Sequence, residues 1–205
     1  RGKKMKLLSI GLLLVLSVGA TAFGSSFPKG EEIYRASIKV SQSHLNPTTV
    51  RQTQHEARKA CLRLHRALYL IEYHWDGIRE YIGNGINSSV LYRNRSFYRK
   101  HLAKRVDQCL KGSLSFKYER TGSRCRPGDT EAYVLVTLGW VHGTIHLCPL
   151  FFSGTETQRI RTLSHEYGRL EGVGDSTDFD TNNIYVWDAI ISFLDQGFER
   201  ILALD

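Results

Sequence analysis

Long apolar runs are nearly missing from this chain, and so are the paired cysteine spacings of zinc modules. No CxxC pair occurs among its four cysteines, which argues against a zinc ribbon or finger. The main apolar run, residues 7–18, is short for a comfortable membrane span, which leaves an uncleaved anchor as the lesser reading. There is no internal repeat, no low-complexity segment and no mark of a second domain. What remains is a globular composition of 205 residues, 41% hydrophobic and 23% charged, enough for one domain with its own core.

The apolar run follows Met5-Lys6 and precedes Ala20-Thr21-Ala22. A basic start, an apolar middle and a small-residue end make residues 1–22 a secretory signal peptide, with cleavage expected after Ala22. Its removal takes away Arg1, Lys3, Lys4 and Lys6, and the formal charge falls from +8 to +4. That weakens any nucleic-acid reading and leaves no membrane attachment after cleavage. A secreted or periplasmic monomer is expected. In an oxidising compartment Cys61, Cys109, Cys125 and Cys148 should form two disulfides. Four cysteines allow three connectivities; Cys61–Cys109 and Cys125–Cys148 are favoured because each joins neighbouring elements.

Residues 23–47 are polar and aperiodic, a loose lead-in to a single domain over residues 48–205. Between about 49 and 82, Ala57, Cys61, Leu64, Leu68, Ile71 and Trp75 recur at helical spacing and predict one long helix ended by Gly83-Asn84-Gly85. A second helix, about 89–110, interleaves Leu91, Phe97, Leu102, Val106 and Cys109 with Arg93, Arg95, Arg99, Lys100, Lys104 and Arg105. Its basic side reads first as a solvated face and second as a patch for an acidic partner. Past Gly112 the period changes: residues 114–118, 132–138 and 144–148 are β-branched or aromatic runs that predict two or three antiparallel strands. Residues 184–204, with Ile184, Trp187, Ile190, Ile191, Leu194, Phe198 and Ile201, form an amphipathic closing helix. Helices flanking a small sheet give an α+β class.

The chain is organised around residues 159–175, RIRTLSHEYGRLEGVGD. Ser153 and Glu156 ahead of them have capping-box spacing. Ile160, Leu163, Tyr167 and Leu170 make one apolar stripe facing the core, while His165, Glu166 and Arg169 share a polar one. Gly172-Val173-Gly174 lets the chain turn and bring Asp175 back towards them. In an HExxH helix both histidines bind zinc and the glutamate is general base to the metal-bound water. Here Arg169 stands at the second histidine, and a guanidinium has no lone pair free for zinc. Asp178, Asp180 and Asp188 are close in sequence as substitute ligands; His142 and His146 read as a satisfied strand pair.

The order of segments carries a resemblance. Ala132-Tyr133-Val134, then Ile145-His146-Leu147-Cys148-Pro149-Leu150-Phe151-Phe152, then Thr162-Leu163-Ser164-His165-Glu166 resemble the core of the aspzincin metallopeptidases, the family of deuterolysin and the peptidyl-Lys metalloendopeptidases. The likeness covers about residues 125–194. It implies a zincin-like fold with long N-terminal helices, an HExxR helix and a closing helix. It implies zinc as cofactor, with His165 and Asp175 as ligands, Glu166 as general base and Tyr185, from the aromatic start of the last helix, as a second catalytic residue. The implied activity is hydrolysis of a protein or peptide substrate, with some members cutting at Lys. Arg169, and the absence of the Tyr-Gly that follows the aspartate in the family, depart from the pattern. The metzincin-like spacing HExxHxxGxxD also fits, through Gly172 and Asp175, but leaves the Cys-Pro-Phe-Phe turn unexplained. The alternative to a peptidase is a catalytically inactive relative that keeps the scaffold as a secreted binding or inhibitory module.

Overall fold

The computed structural model describes residues 30–35, 38–41, 45–83, 88–121, 123–126, 128–137, 140–172 and 184–204. Residues 1–22, read above as a signal peptide, and Asp175, Asp178 and Asp180 lie outside these residues. In chain order the elements are α1 (Gly30–Arg35), β1 (Lys39–Ser41), α2 (Pro47–Tyr73), α3 (Trp75–Ile82), α4 (Ser88–Leu110), β2 (Ser115–Tyr118), β3 (Ala132–Thr137), β4 (Trp140–Leu147), α5 (Pro149–Ser153), α6 (Glu156–Arg169) and α7 (Ile184–Leu202). The class is α+β, as the periodicities require.

The central element is α2, which packs against α4, α6 and α7. The Asn46 side chain accepts the Thr49 N–H at 2.8 Å and Pro47 occupies the first turn, where its missing N–H costs nothing. Its buried face runs through Val50, Ala57, Cys61, Leu64, Leu68 and Ile71. The disulfide Cys61–Cys109 ties it to α4, and Cys125–Cys148 ties the segment after β2 to the end of β4, both as favoured from the sequence.

One long helix over 49–82 is not what forms. It breaks at His74, with φ −125° and ψ 42°, into α2 and α3. The break leaves the Ile71 carbonyl without its helical donor, and Arg95 of α4 supplies one at 2.9 Å while stacking its guanidinium 4.1 Å above the Trp75 ring. The basic side of α4 is largely compensated from within. Arg99 pairs with Glu72, Lys111 with Asp107, and Lys104 and Arg105 with Glu171.

The sheet corrects the expectation of antiparallel strands. Its order is β1-β2-β4-β3, with β1–β2 and β2–β4 parallel and only the β3–β4 hairpin antiparallel. β4 returns from the hairpin between β2 and β3, which leaves β3 on the outer edge. The fourth strand comes from the stretch read as a loose lead-in: over its described residues that stretch folds as α1 and β1, and buries Ile33, Ile38 and Val40 in the core. A three-residue strand is too short to show alternation in sequence.

Helix α6 starts one box later than expected. Ser153 closes α5, and Thr155 caps α6 instead, accepting the Gln158 N–H while Gln158 reaches back to the Thr155 N–H at 2.7 Å. Leu163, Tyr167 and Leu170 are buried, and α7 presses on the same helix at Gly168. A Cβ there would lie 2.7 Å from Ile184 Cδ1 and 2.9 Å from Trp187 Cδ1. Trp187 meanwhile donates its indole N–H to the Ser164 carbonyl at 2.9 Å. Gly168→Ala is therefore expected to lower stability by about 1–3 kcal/mol through overpacking. Urea unfolding at unchanged slope would measure it, and a neutral result would mean that the two helices part easily.

Candidate functional site

A cleft of about 550 Å³ opens along α6. His165, Glu166 and Arg169 line it from α6, Asp188 and Ile191 from α7, Arg63 from α2, and residues 128–132, leading into the edge strand β3, form the opposite wall. The sequence-derived HExxR group is thus gathered at one cleft. Glu166 is 4% exposed and belongs to the floor. Tyr185 stays apart: it is 56% exposed, and its ring lies edge-on, 6.5 Å from the His165 ring between centroids.

The imidazole of His165 is held from both sides. Its Nδ1 bonds Asp188 at 2.6 Å, and the Arg169 guanidinium donates from Nε to His165 Nε2 at 3.4 Å. Both bonds are satisfied together only by the neutral ring protonated at Nδ1, because an imidazolium would turn two donors against each other at Nε2. Burial disfavours the imidazolium, as does the Arg169 charge, but the hydrogen bond and charge of Asp188, with the charge of Glu166, outweigh them and raise the His165 pKa above its ordinary value. The ring is consequently a proton acceptor whose lone pair is covered by a cation.

Asp188 is the functional residue that the sequence left undistinguished among three aspartates. Its signal was its setting: it is the one charge among residues 184–194, directly after the buried Trp187. A carboxylate on Nδ1 is also the arrangement that orients a metal-binding histidine with Nε2 outward.

Zinc needs at least three protein ligands with free lone pairs. Among the described residues no group of three or more His, Cys, Asp or Glu side chains is placed to hold a metal. The Nε2 lone pair of His165 faces Arg169. The described residues do not fit zinc.

The exit of α6 is fixed as firmly as its entrance. Gly172 takes φ +76°, the left-handed conformation that stops helices, and the side chain of Glu171 just before it is fully covered. Glu171 is bound by Arg105, by His101 at 3.0 Å and by Lys104 at 3.1 Å, all from α4, so it is not the partner of Arg169. His142 and His146 are occupied in the sheet: His142 meets Thr137 Oγ1 at 3.2 Å, and His146 bonds Glu119 at 2.8 Å while stacking on Tyr133. Neither lies at the cleft.

No protein-family model, curated protein or solved structure matches this chain.

Proposed function

We propose that this chain is a secreted peptide-binding module built on an aspzincin-like scaffold, in which Arg169 occupies the place of the metal and hydrolysis has been lost. The observation that carries the reading is the Arg169 Nε to His165 Nε2 contact at 3.4 Å. A guanidinium cannot be displaced by losing its proton near neutral pH, so the lone pair that would bind zinc stays covered by a fixed charge. Asp188, Glu166 and Arg169 then form a charged polar set around His165, with one cation against two carboxylates. Two further features support peptide binding. The cleft opens at Ala132, the first residue of the outer strand β3, and an edge strand suits an extended chain adding as another strand. Leu150, Ile191 and Ala132 give the cleft apolar lining between its charges. Export accords with two disulfides and with the finding that no helix among the described residues is long and apolar enough to cross a membrane.

The test is metal content. After dialysis against zinc, the purified disulfide-bonded chain should carry no stoichiometric zinc by elemental analysis and should leave denatured casein uncut. Near-stoichiometric zinc that disappears in His165→Ala, with casein cleavage stopped by a chelator, would overturn the reading and restore the peptidase.

A further inference from the structure

The cleft continues into a groove of about 270 Å³ between α6 and α7. Thr157, Ile160 and Arg161 form one wall, Ser192, Asp195 and Gln196 the other, and Arg63 of α2 lies across the floor. Arg63, Arg161 and Ser192 line both the groove and the cleft, so the two are continuous.

The charge of this groove is what decides its ligand. Asp195 is engaged by α2, with its Oδ2 at 3.3 Å from Arg63 Nε and its Oδ1 at 3.6 Å from Arg66. Arg63 is held rigid by Ser164 Oγ at 3.2 Å and Ser192 Oγ at 3.4 Å, and its side chain is only 13% exposed. Those bonds use three of its five N–H groups and leave two. Arg161 is exposed, and no carboxylate among the described residues pairs with it. The groove lining therefore holds one aspartate and two arginines, with Arg66 paired to that aspartate from outside the lining, and its other polar groups, Thr157, Ser192 and Gln196, are neutral. The acidic groups Asp129, Glu131, Glu166 and Asp188 line the cleft and not the groove, and Glu131 is engaged by the Thr162 hydroxyl.

We propose that this groove is a subsite for a carboxylate of the peptide held in the cleft, gripped by Arg161 and by the free donors of Arg63. It rests on the peptide-binding reading above and adds a selectivity opposite in sign to the lysine preference that the family resemblance implies. A planar guanidinium fork matches a carboxylate with two parallel hydrogen bonds. A lysine side chain would meet two fixed cations there.

Degenerate peptide mixtures with one position fixed as Glu, Gln or Lys and with both termini blocked, read by fluorescence polarisation, test this. The Glu mixture should bind about tenfold more tightly than the Gln mixture, the size of a charged, partly exposed hydrogen bond, and the Lys mixture more weakly still. Arg161→Gln should erase the preference, and Arg161→Glu should turn it towards Lys. Arg161 is exposed, so both variants should keep the native circular dichroism and melting temperature. The Gln mixture with a free C-terminus separates the two sources of carboxylate: a tenfold gain there, without one for internal Glu, assigns the groove to chain ends. Equal binding of all mixtures, or a Glu preference that survives Arg161→Gln, would overturn the subsite and leave the cleft reading in place. No binding by any mixture would overturn both.

Discussion

Glu56→Ala is expected to destabilise the chain by about 3–5 kcal/mol, the usual cost of removing one partner of a buried ion pair. Glu56 is 2% exposed on α2, and its carboxylate accepts from Arg159 Nε at 2.9 Å on both oxygens and from Nη2 at 2.6 Å. Arg159 also donates to the Gly154 carbonyl, a single neutral acceptor that cannot balance the guanidinium charge if the carboxylate goes. The burden is local: Arg159 sits in the first turn of α6, and the pair fixes how that helix lies on α2, hence where His165 and Glu166 stand. Glu56→Leu with Arg159→Met should recover most of the loss, since it removes both charges together. Urea unfolding of the two variants decides it; a loss under about 1 kcal/mol for Glu56→Ala would mean that Arg159 finds another partner.

Breaking Cys61–Cys109 is expected to cost about 4 kcal/mol, and breaking Cys125–Cys148 about 3, because the cross-linked loops span 48 and 23 residues and the longer one restricts the unfolded chain more. Paired alanine replacements, Cys61→Ala with Cys109→Ala and Cys125→Ala with Cys148→Ala, allow the comparison by melting temperature. The first pair also opens the core between α2 and α4, where both sulfurs are buried, so it should suffer more than loop length alone gives. The reverse order of the two losses would sink the argument.

Much of this fold could be read in advance where the information is local. The buried faces of α2, α6 and α7 repeat at helical spacing, and the cysteine pairing followed from which elements are neighbours. Misread features depend on competition or on distance. Two overlapping capping boxes precede α6, Ser153 with Glu156 and Thr155 with Gln158, and the choice between them was made by α5, whose Pro149 start claims Ser153 as its end. The break at His74 is answered by Arg95, which comes from another helix. The parallel strand pairs are likewise products of tertiary order. At the site, the HExxR spacing put three residues on one polar face of a helix, and all three line one cleft. It could not show that Arg169 would bond back to His165, nor that Asp188 would close the set, since the second contact spans two helices.

The parallel pairing of β1 with β2 has a kinetic consequence. Val40 lies against Phe116, and the whole of α2, α3 and α4 is threaded between these partners. Such a contact gains nothing until the intervening chain is already in place, because the entropy of closing the long loop comes first and only three residue pairs reward it. The helices can assemble while α1 and β1 are still detached, and docking of that first segment should be the last and slowest event of folding. A chain released into its compartment would pass through a stage in which the β2 edge is uncovered. That edge, bare of its short guard strand, is where two unfinished copies would first stick to each other.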